Sequence, residues 1–309
     1  MHEVSKEKIK LILSVVIFGT IGVVRSFIPC PSGMIACVRG FVGCAFLLVT
    51  VFVTGKKPDL PAIKRNLPLL CLSGGLIGAN WVCLFEAYRY TSVSTATMCY
   101  YMAPVFVVFI ARPVLKEPLT PKKLLCSAIA LAGMALVSGI VGGADFSAAG
   151  VAFGLAAALM YAWVIILNKL LKDISALDRT IVQLLAAGAA VLPYALFAED
   201  TSSVSITPSV IALLLTAGIV HTGAAYALYF GAIEKVPAQT AALFSYIDPA
   251  VAVVLSALVL GEKLSAVTVV GVLLVLGAAA AGEVSLKKTP QAAEAEKPFS
   301  GIFSKRAGK

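Results

Sequence analysis

Residues 246–265 read YIDPAVAVVLSALVLGEKLS, and residues 101–120 read YMAPVFVVFIARPVLKEPLT. Laid over one another at an offset of 145, the two stretches bring Tyr101 onto Tyr246, Pro104 onto Pro249, Glu117 onto Glu262 and Leu119 onto Leu264. The same offset carries Phe85 onto Phe230, Ala87 onto Ala232 and Thr95 onto Thr240. One unit is therefore used twice along the chain.

Working outward from this repeat, the chain breaks into runs of about 20 mainly apolar residues, the length a spanning helix needs. Ten such runs are bounded by Pro, Gly or charge, at 9–28, 32–54, 66–88, 92–111, 121–141, 149–168, 178–198, 209–232, 237–259 and 265–282. None alternates in polarity as a membrane barrel strand must. The expected fold is an all-α integral membrane protein, with ten transmembrane helices in two five-helix repeats over 9–141 and 149–282. Because five is odd, the second copy enters the membrane from the other face. The repeats are then inverted about an axis in the membrane plane, an arrangement that lets one site be reached from two sides.

Composition agrees. Of 309 residues, 60% are hydrophobic and 13% charged, against about 25% charged in a soluble domain. A mean hydropathy of +0.96 is too high to hide in one globular core, so the solvent for most of the chain is the lipid bilayer. The first apolar run follows Lys6, Lys8 and Lys10 but is too long for a signal-peptide core, and is expected to stay as a helix. The seven cysteines, Cys30, Cys37, Cys44, Cys71, Cys83, Cys99 and Cys126, form no close pair and read as small packing residues. No metal or other cofactor is called for.

The net charge of +9 sits in short loops rather than in a basic stretch with interleaved aromatics, which argues against nucleic acid. Lys56, Lys57, Lys64, Arg65, Arg112, Lys116, Lys122, Lys123, Lys169, Lys172, Arg179 and Lys235 fall on the side of the N-terminus, whereas the other side carries only Arg89 and Lys263. Positive loops stay in the cytoplasm. Both termini are therefore expected there, in a multi-pass protein of the plasma (cytoplasmic, or inner) membrane. Residues 1–8 form a short cytoplasmic N-terminus, and residues 283–309 turn polar and lose helical period, which reads as a disordered cytoplasmic tail.

The residues that close each repeat carry a resemblance. Pro104 is followed by Lys116-Glu117-Pro118-Leu119-Thr120 and Gly133, and Asp248-Pro249 by Gly261-Glu262-Lys263-Leu264-Ser265, Gly271 and Gly277, while Arg39-Gly40-Phe41 lies early in the second helix. Over residues 9–282 the chain resembles the EamA type of the drug/metabolite transporter superfamily. Lys116 departs from the glycine that family favours at its turn. The resemblance implies a carrier of small metabolites, amino acids or drugs, usually outward, linked to protons as coupling ion or to substrate exchange.

Few ionisable residues lie within the spans, and each needs a partner, a water cavity or a function. Arg25 and Glu86 are near the outer ends. Arg39 is deeper and suits either structural pairing or a substrate carboxylate. His221 and Asp248 fall near the midplane, where coupling groups of inverted-repeat carriers sit, and are the candidates for proton-linked gating. For Asp248 the alternative is that it holds backbone groups freed by Pro249; for His221 it is ordinary packing. The candidate substrate contacts are Arg39, Asn80, Trp81, Tyr101, Trp163, Thr222, Tyr226, Gln239 and Tyr246, polar and aromatic groups suited to a small molecule with an apolar part. Tyr88, Tyr100 and Tyr161 also stand on helices that would line a central cavity, with an interfacial belt the preferred reading for Tyr88, Tyr90 and Tyr161. Gly74-x-x-x-Gly78 and Gly150-x-x-x-Gly154 read as helix packing.

A membrane enzyme is disfavoured, because His-Glu-x-x-His, Gly-x-Ser-x-Gly and Walker-type loops are missing from the sequence. The sequence thus points to a secondary carrier exporting small metabolites, with amino acids or related compounds as the cargo. A drug-like or nucleoside or nucleotide-sugar-like cargo is the alternative within the class, and a channel or receptor the alternative outside it.

Overall fold

The computed structural model describes residues 2–116, 120–137, 147–202, 204–233, 236, 244 and 247–283. Glu117, Leu119, Asp145, Lys235, Gln239, Thr240, Tyr246 and the tail beyond 283 lie outside the described residues. So do the last residues of the fifth expected span and most of the first half of the ninth.

Among the described residues the chain is helical. The helices are α1 (His2–Gly19), α2 (Ile21–Ser26), α3 (Ser32–Val53), α4 (Leu60–Tyr90), α5 (Val93–Tyr100), α6 (Ala103–Leu115) and α7 (Pro121–Val137). There follow α8 (Ala148–Leu170), α9 (Ala176–Phe197), α10 (Pro208–Gly218), a π-helical turn (Ile219–Ala224), α11 (Ala225–Ile233), α12 (Ile247–Leu260) and α13 (Ala266–Glu283). Seven segments are long and apolar enough to cross a membrane by themselves, and α12 and α13 are shorter apolar helices. With α7 these make ten spanning units among the described residues, three of them broken: α1 with α2, α5 with α6, and α10 with α11. We call the membrane face at which α1 begins the near face, and the other the far face.

Each break has a local cause. At Thr20 the backbone N–H reaches Ile17 O at 3.2 Å, a contact one residue shorter than the regular α-helical bond, so the first span tightens and restarts. The fourth span breaks at Tyr101 and Met102, just before Pro104, which has no N–H to give to the preceding turn. In the eighth span the π turn frees carbonyls that side chains then use: Thr222 Oγ1 donates to Ala217 O at 2.9 Å, and His221 Nδ1 lies 3.2 Å from Thr216 O. The third span begins at Leu60 rather than at 66, because Asp59 accepts from Ala62 N at 3.0 Å and starts the helix. At 31 residues, about 46 Å of helix, α4 is longer than the roughly 30 Å hydrocarbon layer.

The helices pack in pairs that the repeat relates to each other. α4 lies on α8 as α11 lies on α1; α6 lies on α8 as α12 lies on α1; and α4 lies on α9 as α10 and the π turn lie on α3. The pairs α3 with α9 and α7 with α13 each join one repeat to its own counterpart. This is the pattern a two-fold relation requires. Gly133 and Gly271 make the α7–α13 contact possible, since a Cβ on either would come within 2.8 Å of the other's carbonyl oxygen. The backbone repeats the symmetry as well. Gly261 takes a left-handed φ of 70°, and Lys116, one offset of 145 earlier, takes a φ of 56°. The turn is therefore kept where its usual glycine is absent, at the steric cost a side chain brings there.

The chain is thus an all-α membrane protein of ten spans in two inverted repeats. Its largest buried cluster joins α3, α4, α9 and α10 through Ile35, Leu47, Trp81, Phe85, Leu184 and Leu214. A second joins α5 to α8, α12 and α13.

Candidate functional site

Between these helices lies a cavity of about 420 Å³, in the size range of small-molecule sites. Arg39, Asn80, Trp81, Tyr101, Tyr226 and Asp248 line it, so six of the residues singled out in the sequence meet in one place. Gln239 and Tyr246 lie outside the described residues.

Arg39 is the best-defined group. It is buried, with its Cζ 4.2 Å from the centre of the Trp81 ring and 5.4 Å from that of Phe85. Its Nε donates to Thr222 Oγ1 at 3.1 Å. The ion pairs formed among the described residues, Lys10–Glu7, Arg65–Asp173 and Arg89–Glu86, leave it out. A guanidinium stacked on indole and anchored through Nε keeps its terminal nitrogens for another planar acceptor. The structural-pairing alternative for Arg39 thus finds no carboxylate here. On another wall, Asp248 and Tyr101 both face the cavity, so α12 and the α5–α6 break meet there.

Three expectations change. Trp163 does not line the cavity but lies exposed on α8; Tyr161, Val164, Ile165 and Asn168 of that helix form the wall instead. Successive helical residues are about 100° apart, so Trp163 is turned well away from Tyr161. Thr222 is fully buried and does not line the cavity; it holds Arg39 in place. His221 is also buried off the cavity. Its Nε2 lies 2.8 Å from Thr20 Oγ1 and its Nδ1 faces Thr216 O. Pairing with a carbonyl assigns the proton to Nδ1 and leaves Nε2 to accept from Thr20. His221 thus ties the broken first span to the π turn, and its geometry favours the packing reading.

Further residues complete the wall. Tyr88 and Tyr161, read as belt residues, line the cavity together with Tyr100 and Tyr229. Tyr100 stands with its ring 5.3 Å from Tyr161 and 6.0 Å from Tyr101. Arg179, counted among the loop charges, also lines it, in the first turns of α9 together with Thr180 and Gln183. Gln183 donates to Ser73 Oγ and Asn168 Oδ1, both at 2.7 Å, and so joins α9 to α4 and α8. The clue in the sequence is the spacing of Arg179 and Gln183, four apart on α9, and of Tyr161 and Asn168, seven apart on α8, polar residues on one face of helices otherwise apolar.

The cavity lining runs along most of the depth of the bundle, with Tyr88 within one turn of the far end of α4. Toward the near face it reaches Asn168 and Arg179, within one turn of the ends of α8 and α9. Toward the far face it stops at Tyr88, whose hydroxyl lies 3.4 Å from Thr97 Oγ1 and whose ring lies beside Gly22 of α2, together with Val93. Arg25 is spent at that face: it donates to Ile28 O at 3.1 Å and to Ser32 Oγ at 3.4 Å. Reaching toward the interface in this way is what a cation near a span's end does.

Comparison with known proteins places this architecture. Residues 6–139 and 148–281 each match the EamA-like transporter family, and the chain belongs to that family. A relative named as an uncharacterized transporter, YxxF, from Bacillus subtilis (strain 168) is 28% identical over 278 residues, which covers 88% of both chains. An uncharacterized transporter from Archaeoglobus fulgidus is 26% identical over 267 residues, covering 86% of this chain and 92% of that one. A solved crystal structure shares the fold at a TM-score of 0.65 with 18% identity, covering 90% of this chain and 97% of its own. The protein is a multi-pass membrane transporter.

The two tryptophans give a simple check on which wall is the working one. Trp81→Ala removes the face under Arg39, a contact worth about 1 to 2 kcal/mol when desolvated, and is expected to lower transport about tenfold. Trp163→Ala is expected to stay within about twofold of the parent, since surface changes away from a site cost little. Initial rates in proteoliposomes, normalised to inserted protein, measure both.

Proposed function

We propose that this transporter is a secondary carrier that exports amino acids or closely related small metabolites by alternating access, with protons as the coupling ion. The observation that carries the reading is that Arg39 and Asp248 line one cavity. A cation stacked on Trp81 suits a carboxylate, and an acid beside Tyr101 suits an ammonium group. The surrounding tyrosines add faces that attract cations and pack apolar side chains. A volume of about 420 Å³ lies at the small end of the usual range, which favours an amino acid over a nucleotide sugar.

The distribution of Lys and Arg supports a near face in the cytoplasm, with both termini there and the protein in the plasma membrane. In that orientation Asn168 and Arg179 of the cavity lie toward the cytoplasm, the side from which an exporter loads. Asp248 is the coupling residue in this reading, and Tyr101 its partner.

The test is loss of a pooled amino-acid and metabolite mixture from proteoliposomes, read by mass spectrometry with and without an imposed proton gradient. Selective loss that the gradient accelerates is the expected result. Selective loss indifferent to the gradient would remove the proton and leave uniport or exchange. No loss at all would overturn the carrier reading in favour of a channel or receptor.

A further inference from the structure

The far face is held by a carboxylate that the cavity does not use. Gly261 ends α12 in the left-handed conformation and so turns the chain to bring Glu262 over the start of α5. One carboxylate oxygen accepts from the backbone N–H of Val93; the other accepts from Ser94 N at 3.2 Å and from Ser94 Oγ at 2.8 Å. Ser94 Oγ in turn lies 2.7 Å from Ser256 Oγ on α12. Val93 and Ser94 are almost fully buried. Their N–H groups are among those a helix start leaves without partners of its own, so Glu262 satisfies donors that belong to a different helix.

Position gives this contact its meaning. α5 is the upper part of the broken fourth span, and Val93 presses on Gly22 of α2 beside Tyr88, at the point where the cavity ends. Opening a path to the far face means moving α5 away from α2, and that movement takes Val93 and Ser94 away from Glu262. A second acid on the same face makes a useful contrast. Glu199 accepts from Gly33 N at 2.7 Å and Met34 N at 2.9 Å, but it joins α3 to the end of α9. Those two helices are packed along their length, with Gly40 directly against Gly188. Glu199 therefore caps within a pair packed along its length, while Glu262 caps the first turn of an eight-residue helix whose span breaks after it at Tyr101 and Met102.

We propose that Glu262 is the latch of the outer gate, a residue whose hydrogen bonds to Val93 and Ser94 keep the far face shut while the cavity reaches the cytoplasm. The proposal rests on the carrier reading and on the orientation given above. It assigns Glu262 a part in the conformational cycle and none in contacting cargo.

The first experiment follows labelling of a single reporter, Ala103→Cys, on the cavity wall. It uses a functional chain whose seven native cysteines have been replaced, and a membrane-impermeant maleimide applied from outside to right-side-out vesicles. Glu262→Gln and Glu262→Ala are expected to speed labelling about tenfold, as the loss of a charge-assisted contact implies, and Glu199→Gln to leave it unchanged. Equal labelling with and without Glu262, or an equal rise with Glu199→Gln, would overturn the latch. The second experiment needs neither acid altered. A Ser94→Cys, Ser256→Cys pair is expected to form a disulfide that stops transport until reductant is added. Transport that continues with the disulfide confirmed by mass would overturn the proposal. Labelling requires no cargo, so an unchanged rate in a chain that transports counts against the latch alone. A chain that labels as expected yet moves nothing counts against the carrier reading.

Discussion

An Arg39→Ala protein is expected to insert and fold and to lose transport of carboxylate-bearing cargo almost entirely. The half-saturating concentration should rise about 30-fold or more, the effect of truncating one side of a buried charge-assisted pair, about 2 to 5 kcal/mol. Arg39→Lys separates charge from geometry. Lysine keeps a positive group but cannot donate to Thr222 while stacking on Trp81, as the guanidinium does now. It should therefore recover only part of the loss, and Thr222→Val should show a milder version of the same defect. Concentration series in proteoliposomes, beside thermal unfolding in detergent, distinguish this from general damage. If Arg39→Lys transports as the parent does, the fork geometry is irrelevant and the carboxylate reading fails.

The second large effect is at Asp248. Asp248→Asn keeps the size of the side chain while removing the titratable group. Transport driven by an imposed proton gradient should fall to the rate seen without one, whereas exchange of cargo across equal concentrations should persist. Loss of the ammonium contact should show separately, as a weaker apparent affinity. Tyr101→Phe should lower the gradient-driven rate without abolishing its pH dependence, because the carboxylate remains. Initial rates across pH 5 to 8, with and without the gradient, read all of these. An Asp248→Asn protein with normal rate and unchanged pH dependence would return Asp248 to the backbone around Pro249.

The architecture was legible because lipid makes composition and pattern decisive. Ten apolar runs and an offset that pairs Pro104 with Pro249 leave little choice of fold. The helix faces were less legible. Trp163 and Tyr161 are two residues apart on an apolar helix, and nothing in either side chain says which one meets lipid and which the cavity, since both surroundings accept an aromatic ring. Arg179 was hidden differently: it begins a helix, where a cation is counted with the loops. His221 and Thr222 were placed by counting along a regular helix. The π turn breaks that count, so that His221 meets Thr20 and Thr222 meets Arg39. Only a hydrogen-bond pattern, which a sequence does not display, reveals such a turn.

That turn also sets a phase. Every residue of an α-helix advances the chain by about 100°, so the wider winding across Ile219–Ala224 fixes which side chains of α11 point at the cavity. Tyr226 and Tyr229 hold those seats now. Removing one residue from the turn would pass the seats to Ala227 and Phe230, neither of which carries a hydroxyl. The chemistry of this wall therefore depends on how many residues precede it as well as on which residues form it, and a change in length alone, with no wall residue substituted, is expected to change what this transporter's cavity offers a ligand.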